Sequence, residues 1–185
     1  MARHGFFGYV CAHYQRPTLH ISLATRTANK VNMMEVNQHA PLFVHRDIFI
    51  EAPPQTVWNI QTDISNWSRW QPAITASKIE SPLAIGSVFR WKSGGLNVTS
   101  TVRIFEPNGL IGWTGKSLGA QAKHMWKFIR QNNGTLVTTE ESMEGWSVRL
   151  LKLVMPTLLD DSLDTWLRNL KTQAESSYKA EKIDA

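Results

Sequence analysis

Apolar and polar residues alternate in short segments along most of the chain, which is typical of antiparallel strands. The first segment starts near Val44 and stops at Pro53 and Pro54, so it predicts a strand that runs into a turn. Glycines and Asn-Gly pairs, which favour hairpins, separate the segments that follow. The pattern therefore predicts a seven-stranded antiparallel meander whose later strands lie at about 73–80, 86–93, 96–106, 109–116, 119–131 and 135–144.

Two short helices are predicted directly after the first strand. The stretch "PPQTVWNIQTD" places its apolar residues on one side and begins with proline, which the first turn of a helix accommodates. Asp63 can cap a second short helix, "ISNWSRW", which Pro72 interrupts.

The end of the chain changes to a helical period and predicts a long amphipathic C-terminal helix. Pro156 either begins its main body or kinks a helix that starts near Trp146. Acidic and basic residues occupy the side opposite the apolar stripe, which consists of Leu159, Leu163, Trp166, Leu167, Leu170 and Ala174.

The first part of the chain lacks a clear period, and we expect residues 1–40 to form an unpacked extension before a domain at 41–182. Residues 1–34 carry four basic side chains and no acid, whereas the remainder carries 16 basic and 15 acidic residues. The extension is either a mitochondrial presequence or a disordered or mis-assigned segment upstream of a start at Met33 or Met34. The corresponding expectation for location is the cytoplasm, or mitochondria if the presequence is real.

Composition narrows the class of protein further. A chain of 185 residues with 42% hydrophobic residues can bury a substantial core, and no stretch is long and apolar enough to span a bilayer, so we expect a soluble domain. Cys11 is the single cysteine, which excludes an intrachain disulfide. The nearly neutral body argues against nucleic acid as a partner, and no metal or nucleotide cofactor motif is found. The oligomeric state stays open.

The sequence "FIEAPPQTVWNIQTDISNWSRWQPAI" resembles the opening of the START-like helix-grip superfamily (SRPBCC), in particular its polyketide cyclase/dehydrase and lipid-transport branch. The segments "GSVFRW", "EPNGLIGWTG", "NNGTLVTTEESMEG" and "LDTWLRNLKTQAE" extend the similarity over about residues 44–178. The resemblance implies an α+β helix-grip fold, in which a curved seven-stranded sheet wraps around the C-terminal helix and leaves a cavity for an apolar or aromatic ligand.

Strand alternation predicts which side chains face that cavity. The rows of aromatic residues on neighbouring strands should point inward, opposite the leucines of the C-terminal helix. For Trp67 and Trp70, two interpretations remain: they brace the short helices, or they contact the ligand. The predicted ligand-binding residues are Trp67, Trp70, Phe89, Trp91, Val102, Ile104, Trp113, Trp126, Phe128, Leu159 and Leu163.

His124 and Glu141 are the candidate catalytic residues. His124 shares the predicted inner face of its strand with Trp126 and Phe128, where it could act as an acid or base or simply form a structural hydrogen bond. Alternation places either Glu140 or Glu141 beside it, and Met143 favours Glu141. A solvated acid at the rim is the alternative interpretation.

Two functions from different classes follow from these predictions. The first is a binding or transport protein for a small hydrophobic or aromatic ligand, lipid-like or polyketide-like, with no cofactor. The second is a cyclase or dehydratase in which His124 and an inward glutamate move protons. A quinone chaperone or ribosome-associated member of the superfamily is a third, less similar possibility.

Overall fold

The computed structural model describes residues 34–183. Its centre is one antiparallel sheet of seven strands in the order β1-β7-β6-β5-β4-β3-β2, so that β2 to β7 form a meander and β1 closes it beside β7. The seven predicted strands are confirmed to within about two residues at their ends. They are β1 Leu42–Ile50, β2 Ile74–Ile79, β3 Val88–Ser93, β4 Leu96–Glu106, β5 Leu110–Ser117, β6 Ala120–Gln131 and β7 Gly134–Gly145.

The helices also agree with the sequence pattern. Helix α1 (Pro54–Thr62) starts with proline in its first turn, and a 3-10 helix (Ile64–Arg69) follows it directly. Near the end of the chain, α2 (Trp146–Val154) and α3 (Leu158–Ile183) are separate helices. Pro156 lies between them. Proline cannot donate the backbone hydrogen bond that a continuous helix requires, so it interrupts the helix here.

Helix α3 lies against β1 and α1 and buries its apolar stripe on the inner face of the curved sheet. Together with the two short helices after β1, this is the predicted helix-grip fold. Among the described residues, no helix is long and apolar enough to cross a membrane.

Residues 34–40 pack on the outer face of the sheet, although the sequence assigned them to an unpacked extension. Met34 and Val36 are buried, and a Cβ added to Gly112 would lie 3.0 Å from the Met34 sulfur. The expected lack of packing is therefore wrong for Met34 and Val36, which lie near the end of the predicted extension. Its earlier part, with the presequence and start-site predictions, lies outside the described residues 34–183.

Candidate functional site

The centre of the inner face is formed by β6. His124, Trp126 and Phe128 alternate with outward residues along this strand, and all three are buried. Phe128 packs edge-on against Trp58 of α1, with ring centroids 5.5 Å apart. Strand β6 therefore presents an imidazole followed by two aromatic rings, as strand alternation predicted.

The register between β6 and β7 decides which glutamate faces inward. His124 pairs directly with Glu141, so both side chains lie on the same face of the sheet. Glu140 lies on the outer face, where its carboxylate is 3.0 Å from Nδ1 of His45. The sequence-based choice of Glu141 over Glu140 is thus the one that the register supports.

His124 is enclosed by hydrogen-bonding and aromatic groups. Its Nε2 lies 2.8 Å from Thr139 Oγ1, and its Nδ1 lies 3.5 Å from a carboxyl oxygen of Glu141. The imidazole sits between the rings of Trp113 and Trp126, at centroid distances of 5.0 and 5.1 Å. These contacts hold the ring in one orientation and direct Nδ1 toward Glu141.

Burial suppresses charge on both members of this pair. Loss of solvent lowers the pKa of the His124 imidazole to about 3 and raises the pKa of the Glu141 carboxyl to about 8. At neutral pH the site therefore holds an unprotonated imidazole beside a protonated carboxyl. Opposed shifts of this kind separate a potential proton acceptor from a potential proton donor.

Trp67 fills the space between the 3-10 helix and the sheet. The side chain is fully buried, and its Nε1 donates a 2.8 Å hydrogen bond to the Gln61 carbonyl oxygen. Its ring centroid lies 5.1 to 5.9 Å from four others, those of Phe89, Trp91, Trp113 and Trp166. This placement agrees with the bracing interpretation of Trp67.

The largest omission of the sequence-based site is Trp166 of α3. Its ring lies 5.8 Å from that of Trp126 and 6.1 Å from the imidazole of His124, and its Nε1 donates to Gln61 Oε1 at 3.1 Å. With Trp67, it fills the space that the sequence analysis assigned to a ligand, so the interior is closed in this conformation. Its position one helical turn after Leu163 on the apolar stripe was the available signal.

Leu159 and Leu163 do not face the aromatic row. They form a second apolar cluster with Leu42 and Val44 of β1 and Val148 of α2. Since Val44 pairs directly with the inward glutamate, this second cluster borders the imidazole and carboxyl pair on the side away from the aromatic cluster. The site thus lies between two apolar clusters.

One predicted lining residue, Ile104, faces outward. The register shifts between Val102 and Ile104, where an extra residue in β4 forms a β-bulge. Val102 pairs with the inward Trp113, but Ile104 pairs with Gly112 on the outer face. The prediction for Ile104 is therefore wrong, and Phe105 takes the inward position, 5.5 Å from the ring of Trp58.

Two buried hydrogen-bond donors beside the aromatic rings of the inner face have no partner among the described residues. Among the described residues, neither Trp126 Nε1 nor Gln61 Nε2 has an acceptor, although both atoms are buried. By contrast, Trp91 Nε1 donates to Ser100 Oγ at 3.0 Å. A buried donor without a partner costs about 1–3 kcal/mol, so both groups would gain from an acceptor.

Trp70 follows the last residue of the 3-10 helix and lies near the surface instead of in the interior. Its ring is 6.3 Å from that of Trp166 and lines a surface cleft of about 180 Å³. The other residues around this cleft are Ile60, Asp63, Asn66, Arg69 and Gln173. Trp70 thus contacts the buried Trp166 on one side and the surface cleft on the other.

Comparison with known proteins identifies the class. The family model described as "Polyketide cyclase / dehydrase and lipid transport" matches residues 43–175, and the chain belongs to this family. The chain therefore has the helix-grip fold, and its family indicates a domain that binds hydrophobic ligands. A search of curated proteins found no match.

Solved structures share the fold at low sequence identity. A hypothetical protein from Helicobacter pylori is 18% identical, with a TM-score of 0.68 over 75% of this chain and 91% of its own. A START superfamily protein from Mycobacterium smegmatis is 16% identical, with a TM-score of 0.60 over 72% and 97%. The Zhui aromatase/cyclase from Streptomyces is 13% identical, with a TM-score of 0.60 over 72% and 93%. These likenesses concern the fold alone.

Proposed function

We propose that this protein binds a small hydrophobic or aromatic ligand between the inner face of the sheet and α3. The observation that carries the proposal is the unpartnered indole donor of Trp126 inside an aromatic cluster. A second buried donor, Gln61 Nε2, belongs to the residue that accepts from Trp166. A ligand carbonyl oxygen would satisfy such a donor while its apolar part contacts the rings.

Binding requires the closed interior to open. A typical small-molecule site encloses roughly 300–1,000 Å³, more than the cleft of about 180 Å³ beside Trp70. Trp67 is carried by the six-residue 3-10 helix that also contributes Asn66 and Arg69 to this cleft. Because 3-10 helices have poor hydrogen-bond geometry, this segment is the natural element to move. In the proposal, Trp67 swings out and the ligand takes its place among the rings.

Two matched ligands test this proposal. 2-Acetylnaphthalene and 2-ethylnaphthalene have nearly the same shape, but only the first carries a carbonyl acceptor. We expect both to quench tryptophan fluorescence, with the ketone bound about 2- to 12-fold more tightly, the ratio that one net hydrogen bond gives. Calorimetric titration provides an independent dissociation constant. Native mass spectrometry of the purified protein would identify any ligand that copurifies.

The variant Trp126→Phe keeps an aromatic ring but removes the donor, so it should abolish the preference for the ketone. Trp146→Phe is the matched control, because the Trp146 indole on α2 is exposed and lies outside the cluster. The proposal fails if neither compound binds the wild-type protein. If Trp126→Phe still binds the ketone more tightly than the hydrocarbon by the full ratio, the Trp126 indole is not the donor to the ligand.

A second candidate function, a cyclase or dehydratase, is favoured by the 3.5 Å contact between His124 and Glu141. If His124 Nε2–H donates to Thr139, Nδ1 is free to accept a proton from the carbon beside a substrate ketone. Glu141 then donates its proton to the β-hydroxyl, which leaves as water while a carbon–carbon double bond forms. Transfer of the proton from His124 back to Glu141 restores both groups.

Dehydration of the β-hydroxyketone 4-hydroxy-4-phenylbutan-2-one tests this second function. The conjugated product absorbs in the ultraviolet, so its formation can be followed directly. We expect His124→Ala and Glu141→Gln to lower turnover by about 10²- to 10⁴-fold, whereas Glu140→Gln on the outer face should leave it unchanged. Absence of turnover, or full activity in both inner-face variants, would exclude the enzymatic function and leave the binding proposal intact.

A further inference from the structure

Helix α2 is apolar on two opposite sides. Val148 and Leu151 face the second apolar cluster. On the other side, four large apolar side chains stay 57–81% exposed among the described residues: Trp146, Leu150, Leu153 and Val154. A surface helix normally has a single apolar face toward the core, so this second face points to a contact outside the domain.

The exposed face continues onto the neighbouring hairpin. Leu118, at the tip between β5 and β6, is 69% exposed. The Trp146 indole lies directly over Gly119, because a Cβ added there would be 2.2 Å from Trp146 Nε1. Helix and hairpin tip therefore form one surface, the α2 patch, which consists of Leu118, Trp146, Leu150, Leu153, Val154 and Met155.

The segment that carries most of the α2 patch is basic. From residue 145 to residue 159 the chain carries Arg149 and Lys152, both exposed, and no acidic residue. Of the nearest acids on either side, Asp160 pairs with Arg46, whereas Glu144, which accepts a hydrogen bond from Asn37, and Asp161 are exposed. Exposed tryptophan and leucine beside basic residues are the features of helices that lie in the surface of an anionic bilayer.

We propose that the α2 patch docks onto an anionic membrane surface. The apolar side chains enter the boundary between headgroups and acyl chains, and Arg149 and Lys152 contact the lipid phosphates or carboxylates. The inner side of α2 packs on the cluster that includes Val44, the neighbour of Glu141. Docking would thus place the membrane beside one edge of the candidate site. The proposal goes beyond ligand binding and needs no ligand for its test.

Co-sedimentation with vesicles tests this docking. We expect the protein to bind vesicles with about 30% phosphatidylserine in phosphatidylcholine, more weakly in high salt, and far less to phosphatidylcholine alone. The double variant Arg149→Gln/Lys152→Gln should lower the partition coefficient by about 25-fold, roughly fivefold for each charge. Leu150→Gln/Leu153→Gln should lower it by about tenfold or more, because apolar contact with the bilayer is lost.

Ile183→Gln is the matched control, since Ile183 is equally exposed but lies at the far end of α3. All substituted residues are exposed, and circular dichroism checks that each variant folds. Absence of binding to the anionic vesicles, or binding that both double variants retain, overturns the proposal. Sedimentation equilibrium tests whether the α2 patch binds a second copy of the chain instead of a membrane. If the wild-type protein is a dimer and Leu150→Gln/Leu153→Gln is a monomer, the patch is a dimer interface and membrane docking is overturned.

Discussion

Replacing Glu141 by glutamine should change how the stability of the protein depends on pH. Glutamine has nearly the same shape as glutamate but cannot ionise. The Glu141 side chain is 14% exposed and faces His124, and burial raises the pKa of Glu141 to about 8. The unfolded chain has no such environment, so its carboxyl ionises near its ordinary pKa of about 4.5.

The sign and size follow from proton linkage. Between pH 4.5 and 8 the folded state keeps a proton on Glu141 that the unfolded state loses, so stability falls as pH rises. With the two pKa values above, the contribution of Glu141 to the free energy of unfolding drops by about 1.6 kcal/mol between pH 6.5 and pH 8. Below pH 6.5 the unfolded state binds a proton on His124 that the folded state does not, and the two contributions cancel down to about pH 4.5.

Urea unfolding at pH 6.5 and pH 8 measures this effect. Wild type should lose about 1.6 kcal/mol more than Glu141→Gln over this interval. Glu140→Gln, on the outer face, should behave as wild type and controls for removal of a carboxylate. If Glu141→Gln lost as much stability as wild type, the carboxyl would not be protonated in the folded protein, and the donor role assigned to it would lack its basis.

Three further variants probe the same packing. His124→Gln should lose about 1.6 kcal/mol less than wild type between pH 4.5 and pH 3 in urea unfolding, because the pKa of His124, lowered to about 3, disfavours folding in acid; equal losses would contradict this. Trp67→Phe should cost about 1–3 kcal/mol at neutral pH, since the Gln61 carbonyl loses its buried donor, and a neutral result would show that the indole bond is dispensable. Gly119→Ala should lower the melting temperature and shift Trp146 emission, because Gly119 has a φ of +73° and its Cβ would overlap the indole; an unchanged spectrum would argue against that contact.

Local pattern was enough to predict most of the fold. Strand alternation, Asn-Gly turns and the helical stripe are properties of short segments, so they identified all seven strands and the long C-terminal helix. The same alternation placed His124 and Trp126 on the inner face. Glu141 was a harder choice, because adjacent glutamates give both phases, and only the pairing of β6 with β7 separates them.

Other features depend on contacts between segments that lie far apart in the chain. Alternation cannot reveal a bulge, so Ile104 was assigned inward although the extra residue in β4 turns it outward. The sequence determined which residues are apolar and which elements they form. Only the tertiary structure decided that Trp166 and Trp67 close the interior, and that burial keeps His124 and Glu141 uncharged, because packing and desolvation arise where distant elements meet.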